Sequence, residues 1–252
     1  MKKSLLFCAL IAIASAGTAF ARINLLEPWH PGLDSAVGLP ASYTLRGAVV
    51  SGGYGLEVPA EFDYVTAQKI EVGGRWGLRE HSGNVGLNDL MIGGKYVFFD
   101  ETDQSPSVLG EAAFSLPTGR FSDGLGTGSM DFLLHWASAK KLSEDYNGTF
   151  GLGIRLNSEN SDKYSAGNVF FYHIGVSRRM EKDMTLYGEL KGFNHGKSKL
   201  NTTEQDDDYQ ELYLAPGIDY TLDSTWTLNG ALLIGLTSRS DNLGLIVSTK
   251  FK

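Results

Sequence analysis

The sequence predicts an all-β protein, an antiparallel up-and-down transmembrane β-barrel of twelve strands, with ten and fourteen as the neighbouring counts. Three observations predict it. The N-terminus reads as an export signal, extended segments of alternating polarity run almost to the last residue, and their connections alternate between short and long. Period two is the spacing of a strand whose successive side chains face opposite sides. Segments of about ten residues suit a tilted crossing of a bilayer, whereas soluble sheets commonly use strands of about five or six.

Met1-Lys2-Lys3 is a short positive segment, Leu5 to Ala14 an apolar run too short to span a bilayer, and Ala19-Phe20-Ala21 a small-x-small cleavage site. Residues 1–21 are therefore read as a secretory signal, 22–42 as a periplasmic segment and 43–252 as the barrel. Cys8, the only cysteine, lies inside the signal, so the mature chain has no thiol, disulfide or cysteine metal site. No other stretch approaches a helical membrane span. Loss of Lys2 and Lys3 with the signal takes the formal charge from −7 to −9. An acidic chain without a basic stripe argues against nucleic-acid binding.

The strands are expected near 43–52, 57–65, 69–79, 88–99, 107–116, 128–139, 147–157, 168–181, 184–194, 208–221, 225–237 and 242–252. In the third, Ile70, Val72, Trp76 and Leu78 suit hydrocarbon, and Lys69, Glu71, Arg75 and Arg79 suit water. In the seventh, Phe150, Leu152, Ile154 and Leu156 oppose Thr149, Gly151, Gly153 and Arg155. The eighth sets Phe170, Tyr172, Ile174 and Val176 against Phe171, His173, Gly175 and Ser177. The tenth sets Leu212, Leu214, Pro216, Ile218 and Tyr220 against Glu211, Tyr213, Ala215, Gly217 and Asp219. Trp226, Leu228, Leu232, Ile234 and Leu236 form the apolar row of the eleventh. The last strand carries Phe251, near where a signal for the barrel-assembly machinery ends in an aromatic.

With the N-terminus periplasmic, one set of turns falls near 66–68, 100–106, 140–146, 181–184 and 222–225. The other falls near 53–56, 80–87, 117–127, 158–167, 195–207 and 238–241; it is longer on average, as external loops of outer-membrane barrels are. Phe98, Phe99, Trp136, Phe150, Tyr220, Trp226 and Phe251 are expected at the periplasmic rim, as an interfacial girdle.

Gly86-Leu87-Asn88-Asp89-Leu90, continued by Gly94-Lys95-Tyr96, resembles a motif of the bacterial phenol-degradation meta-pathway (MetA-pathway) outer-membrane proteins, often labelled transporters. Leu116-Pro117-Thr118-Gly119 and Gly126-Thr127-Gly128-Ser129-Met130-Asp131 resemble two more. Asn88 stands where that family usually has glycine. The similarity in strand order runs from about residue 34 to the C-terminus, and it implies an outer-membrane barrel and says little about substrate. Read physically, Pro117 cannot donate to a ladder and belongs at a strand end, and the surrounding glycines shape turns.

The charged lumen face is expected to include Arg46, Glu61, Asp63, Lys69, Glu71, Arg75, Arg79, Asp89, Lys95, Glu111, Asp131, His135, Arg155, His173, Arg179, Glu189, Lys191, Glu211 and Asp219, with Phe171, Phe193 and Tyr213 offering apolar contact. Three function classes follow. One is a narrow selective passage for small molecules, aromatic or hydrophobic ones among them. A second is a barrel whose lumen is filled by its own salt bridges and whose external loops bind a partner or lipopolysaccharide. A barrel hydrolase is the third class, with His173–Ser177 or His195–Ser198 as its weak candidates; neither has a catalytic signature. The five mature-chain histidines lack metal-ligand spacing. Asp206-Asp207-Asp208 reads as a solvated external loop without a calcium-loop pattern. No cofactor is expected.

Overall fold

The computed structural model describes residues 43–52, 55–67, 69–224, 226–240 and 243–251, and side chains within 57–60, 69–224, 226–240 and 243–249. The signal and the 22–42 segment therefore lie outside the described residues. So do the side chains of Arg46, Glu61, Asp63 and Phe251.

The strands in chain order are β1 (Tyr43–Gly52), β2 (Gly55–Ala67), β3 (Ile70–His81), β4 (Asn84–Leu87), β5 (Leu90–Phe99) and β6 (Ser107–Leu116). After them come β7 (Asp131–Lys141), β8 (Tyr146–Leu156), β9 (Tyr164–Ser165), β10 (Val169–Glu181) and β11 (Met184–His195). The chain ends with β12 (Lys199–Leu200), β13 (Thr203–Glu204), β14 (Tyr209–Thr221), β15 (Trp226–Gly235) and β16 (Leu243–Phe251). Twelve of these are long and pair antiparallel with their neighbours in sequence, apart from the short insertions. β1 pairs with both β2 and β16, and β2 pairs with β3, so the ladder returns to its start as a ring. The twelve expected strands are the twelve found.

The two faces follow the alternation. On β3, Ile70, Val72, Trp76 and Leu78 are exposed, while Glu71 and Arg75 are buried inside. The same parity puts Phe132, Leu134 and Trp136 outside on β7, and Phe170, Ile174 and Val176 outside on β10. A continuous apolar exterior of this extent is foreign to a soluble monomer and suited to lipid. Phe98, Phe99, Trp136, Phe150 and Tyr220 are exposed, as a girdle requires. At Phe98 the β5–β6 register slips by one residue, between Val97 and Phe99, and this bulge turns two consecutive phenylalanines outward.

The four longest connections between ring strands, β3 to β5, β6 to β7, β8 to β10 and β11 to β14, all lie at one end of the ring. Ser82-Gly83, both at positive φ, close the two-residue hairpin between β3 and β4, the conformation a tight hairpin requires. Three expectations shift at the strand ends. The fourth ring strand, expected from 88, begins at Leu90 with Asn88 and Asp89 outside the ladder, and the expected turn at 80–87 carries β4, folded back on β3. The expected loops at 158–167 and 195–207 carry β9, β12 and β13, which form a small sheet of their own. Lys69 and Arg179 leave the lumen set. Lys69 sits in the β2–β3 turn and bonds Asp100 at 2.6 Å, and Arg179 is exposed near the β10–β11 turn, because strand parity lapses where the chain turns.

Candidate functional site

Inside the ring the lumen has two levels. At the long-loop end lies a cavity of about 350 Å³. Arg75 and Arg79 of β3, Asp131 of β7, Arg155 of β8 and Glu211 of β14 line it, all five predicted to face the lumen. Sequence reasoning missed Glu57, which organises one wall. Its carboxylate accepts from Arg75 Nη2 at 2.7 Å and from Asn88 Nδ2 at 3.0 Å, with Arg79 Nη2 at 3.6 Å. Asn88 also accepts the Gly77 N–H through its Oδ1 at 2.8 Å, so the residue that departs from the family's glycine ties β2, β3 and the β4–β5 link together.

On the opposite wall His195 was read as a loop residue. It ends β11 instead, with Nε2 3.3 Å from Glu211 and its ring stacked on Tyr209 at 4.1 Å. Phe193, Phe121 and Tyr164 add further aromatic surface. Asp131 is buried and accepts from Ser129 Oγ at 2.9 Å and from the Ser158 N–H at 3.1 Å. A rigid, mixed aromatic and charged wall of this kind can orient a small solute by stacking and by hydrogen bonding.

The segment from Pro117 to Met130 folds over this cavity, and Asp89 holds it there. Its Oδ1 accepts the Gly119 N–H at 2.9 Å, and its Oδ2 accepts the Thr127 N–H at 2.8 Å and the Thr127 hydroxyl at 3.2 Å. Thr118 Oγ1 accepts the Leu90 N–H at 2.8 Å and donates to the Asn88 carbonyl at 3.0 Å. The three motifs that carry the family resemblance are thus one clasp.

Below the cavity the lumen narrows to packed side chains. Tyr213, Phe171, Leu133, Leu233 and Ile246 are buried to 2% exposure or less, with Met91, Val169 and Phe193 packed against them. Among them runs a polar network. Lys95 Nζ meets Glu71 at 2.7 Å, His135 Nδ1 lies 3.4 Å from Glu111, and the Nε2 atoms of His135 and His173 are 3.3 Å apart. His173 Nδ1 stands 2.9 Å from Glu189, which Lys191 approaches at 3.5 Å. The predicted residues therefore divide. Arg75, Arg79, Asp131, Arg155 and Glu211 line the vestibule; Lys95, Glu111, His135, His173, Glu189 and Lys191 form the buried network; Phe171 and Tyr213 belong to the apolar packing. Both His173 nitrogens face other groups, so the ring has no free atom to activate Ser177. Among the described residues no three His, Cys, Asp or Glu side chains converge as a metal site.

A family model described as "Putative MetA-pathway of phenol degradation" matches residues 17–249. The chain belongs to this family. No curated protein gives a significant sequence match. In fold, this MetA-pathway family member is similar to the COG4313 outer membrane channel from Pseudomonas putida F1, at 12% identity and a TM-score of 0.67 over 87% of this chain and 98% of that one. It is similar also to the NanC porin, at 12% identity and a TM-score of 0.58 over 84% and 100% of the two chains. A third likeness is to the KdgM porin in complex with disordered oligogalacturonate, at 10% identity and a TM-score of 0.56 over 84% and 99%. The fold is that of an outer-membrane β-barrel, as the alternation predicted.

Proposed function

We propose that this protein is an outer-membrane channel that takes small molecules, aromatic and hydrophobic ones among them, from the outside into the vestibule and on through the lumen. The vestibule is the observation that carries the reading. Its volume of about 350 Å³ lies in the range of small-molecule sites, and it pairs aromatic faces with charged groups at the external end of a membrane barrel. The channel and porins that share the fold support this, and the family's description points to phenols as a substrate class. Arg75, Arg79, Arg155, Glu211, Tyr209 and Phe193 are the residues assigned to solute contact.

A second reading keeps one specific support. The middle of the lumen is packed so closely that a solute passes only if side chains there rearrange, which is what a plugged structural barrel would also show. Planar-bilayer conductance and liposome swelling with the purified barrel separate the two. The channel reading expects discrete conductance steps and uptake of small solutes; a folded barrel silent in both assays is the structural one. We also assign cleavage after Ala21, to be checked by the mass of the mature chain, and contact of the external loops with lipopolysaccharide.

A further inference from the structure

The rings of His135 and His173 meet in the packed layer below the vestibule, each with a carboxylate at its back. Glu111 lies 3.4 Å from His135 Nδ1, and Glu189 lies 2.9 Å from His173 Nδ1. An ionised carboxylate only accepts, so hydrogen on each Nδ1 is the tautomer that suits both approaches, of which the His173–Glu189 one is an ion-pair contact rather than an aligned hydrogen bond. The two Nε2 atoms then face one another at 3.3 Å, and two bare lone pairs at that distance repel. One proton between them turns the repulsion into a charge-assisted hydrogen bond. Charge leads to the same number. Of the described residues, two carboxylates and the Lys191 ammonium surround the rings, and one proton on the pair brings this group to neutrality, the state a buried site favours.

Beyond Glu111, Glu189 and Lys191, the described groups that face the pair from neighbouring strands are neutral or already paired. β8 presents Thr149, Gly151 and Gly153 toward it, and β14 presents Ala215 and the phenol of Tyr213. On β5, Lys95 is bonded to Glu71, and on β11 the Tyr187 hydroxyl accepts from Asn229 at 2.7 Å. Gly151 makes the meeting possible, because a Cβ there would collide with the His173 ring and stand 2.8 Å from His135 Nε2.

We propose that the His135–His173 pair is a proton-operated bolt: it shuts the lumen while it shares one proton, and a second proton, taken up on acidification, sets two imidazoliums against each other and opens the passage. The proposal rests on the channel reading. Two cations in contact repel, so the second proton binds only on the acid side of the ordinary imidazole range, and opening belongs there. The bonds that anchor the 197–207 loop persist through that range. Bonds from Ser198 hold the Asp207 carboxyl below the ordinary carboxylate range, and the bond from Lys197 does the same for Asp206. Groups lowered in this way keep their contribution until the pH falls through those depressed values.

The test is single-channel recording of barrels extracted from outer membranes, with wild type, His135→Gln and His173→Gln compared. Glutamine keeps a hydrogen-bonding side chain but takes up no proton. Wild type should gain about threefold or more in mean conductance between about pH 7 and pH 4, and both variants should be nearly flat. A wild type that conducts without pH dependence overturns the bolt and leaves the channel reading standing. So does a pair of folded variants, judged by heat-modifiable gel mobility, that keep the full wild-type response. A barrel silent at every pH, and still silent when the external loop is released by Asp89→Ala, overturns both.

Discussion

Gly151 is the residue that lets the two lumen histidines meet. Its neighbours across the ladder are Ala137 on β7 and His173 on β10, and the missing Cβ is the space in which two imidazoles approach. Gly151→Ala forces at least one ring to move. Overpacking of this kind costs about 1–3 kcal/mol, so the urea midpoint of the barrel should fall by a matching amount while conductance at neutral pH rises. A variant as stable and as closed as wild type would show that the rings have room to spare. The sequence places Gly151 on the lumen face by parity alone. It does not say which side chains lean across it, because that depends on the stagger of three strands, and parity fixes a face without fixing a register. The same limit explains Glu57 and His195. Each has the right parity, yet their partners Arg75 and Glu211 lie 18 and 16 residues away and become neighbours only through the ladder.

At the scale of the element, the segment of residues 117–130 folds over the cavity, and its two ends are gathered by one carboxylate, with Thr118 as a second attachment. Asp89 accepts three hydrogen bonds from Gly119 and Thr127, and bonds to a charged acceptor contribute about 1.5–3 kcal/mol each, net of the bonds given up to water. Asp89→Ala should let this segment leave the cavity without unfolding the ring, since the ladder of β5 begins only at Leu90. Two measurements follow from that. Mean conductance should rise, and trypsin should cut faster after Arg120, whose side chain is already exposed. Unchanged cleavage would mean that Phe121 and Leu125, packed over the cavity, hold the lid without Asp89. The motifs around Pro117 and Gly126 were legible as turn formers because proline and glycine act locally. Their shared attachment to Asp89, some thirty residues earlier, was not, since nothing in a turn's composition names its acceptor. The small sheet of β9, β12 and β13 escaped for a similar reason: two-residue strands are too short to show a period.

At the scale of the whole molecule, alternation carries the architecture and says little about whether the tube is open. Strand length, the two faces and the loop asymmetry were all legible, because the bilayer imposes one repeated demand on every crossing segment. Whether Tyr213 and Phe171 fill the lumen or fringe it depends on ring diameter and stagger, which no single strand encodes. The lipid assignment has its own test. Ile174 lies near the middle of β10, faces outward and is 54% exposed, so in water Ile174→Arg would be an ordinary surface change within about 0.5 kcal/mol of neutral. In a bilayer the same change puts a guanidinium near the midplane at a cost of about 2–4 kcal/mol. Reversible urea unfolding in lipid vesicles should therefore show Ile174→Arg destabilised by that amount. Lys182, in the short turn after β10, is the control: Lys182→Arg lies at the rim and should leave the midpoint where it was. If Ile174→Arg also leaves it unmoved, the apolar belt does not face hydrocarbon, and the cavity at the long-loop end loses its place as the mouth of a channel.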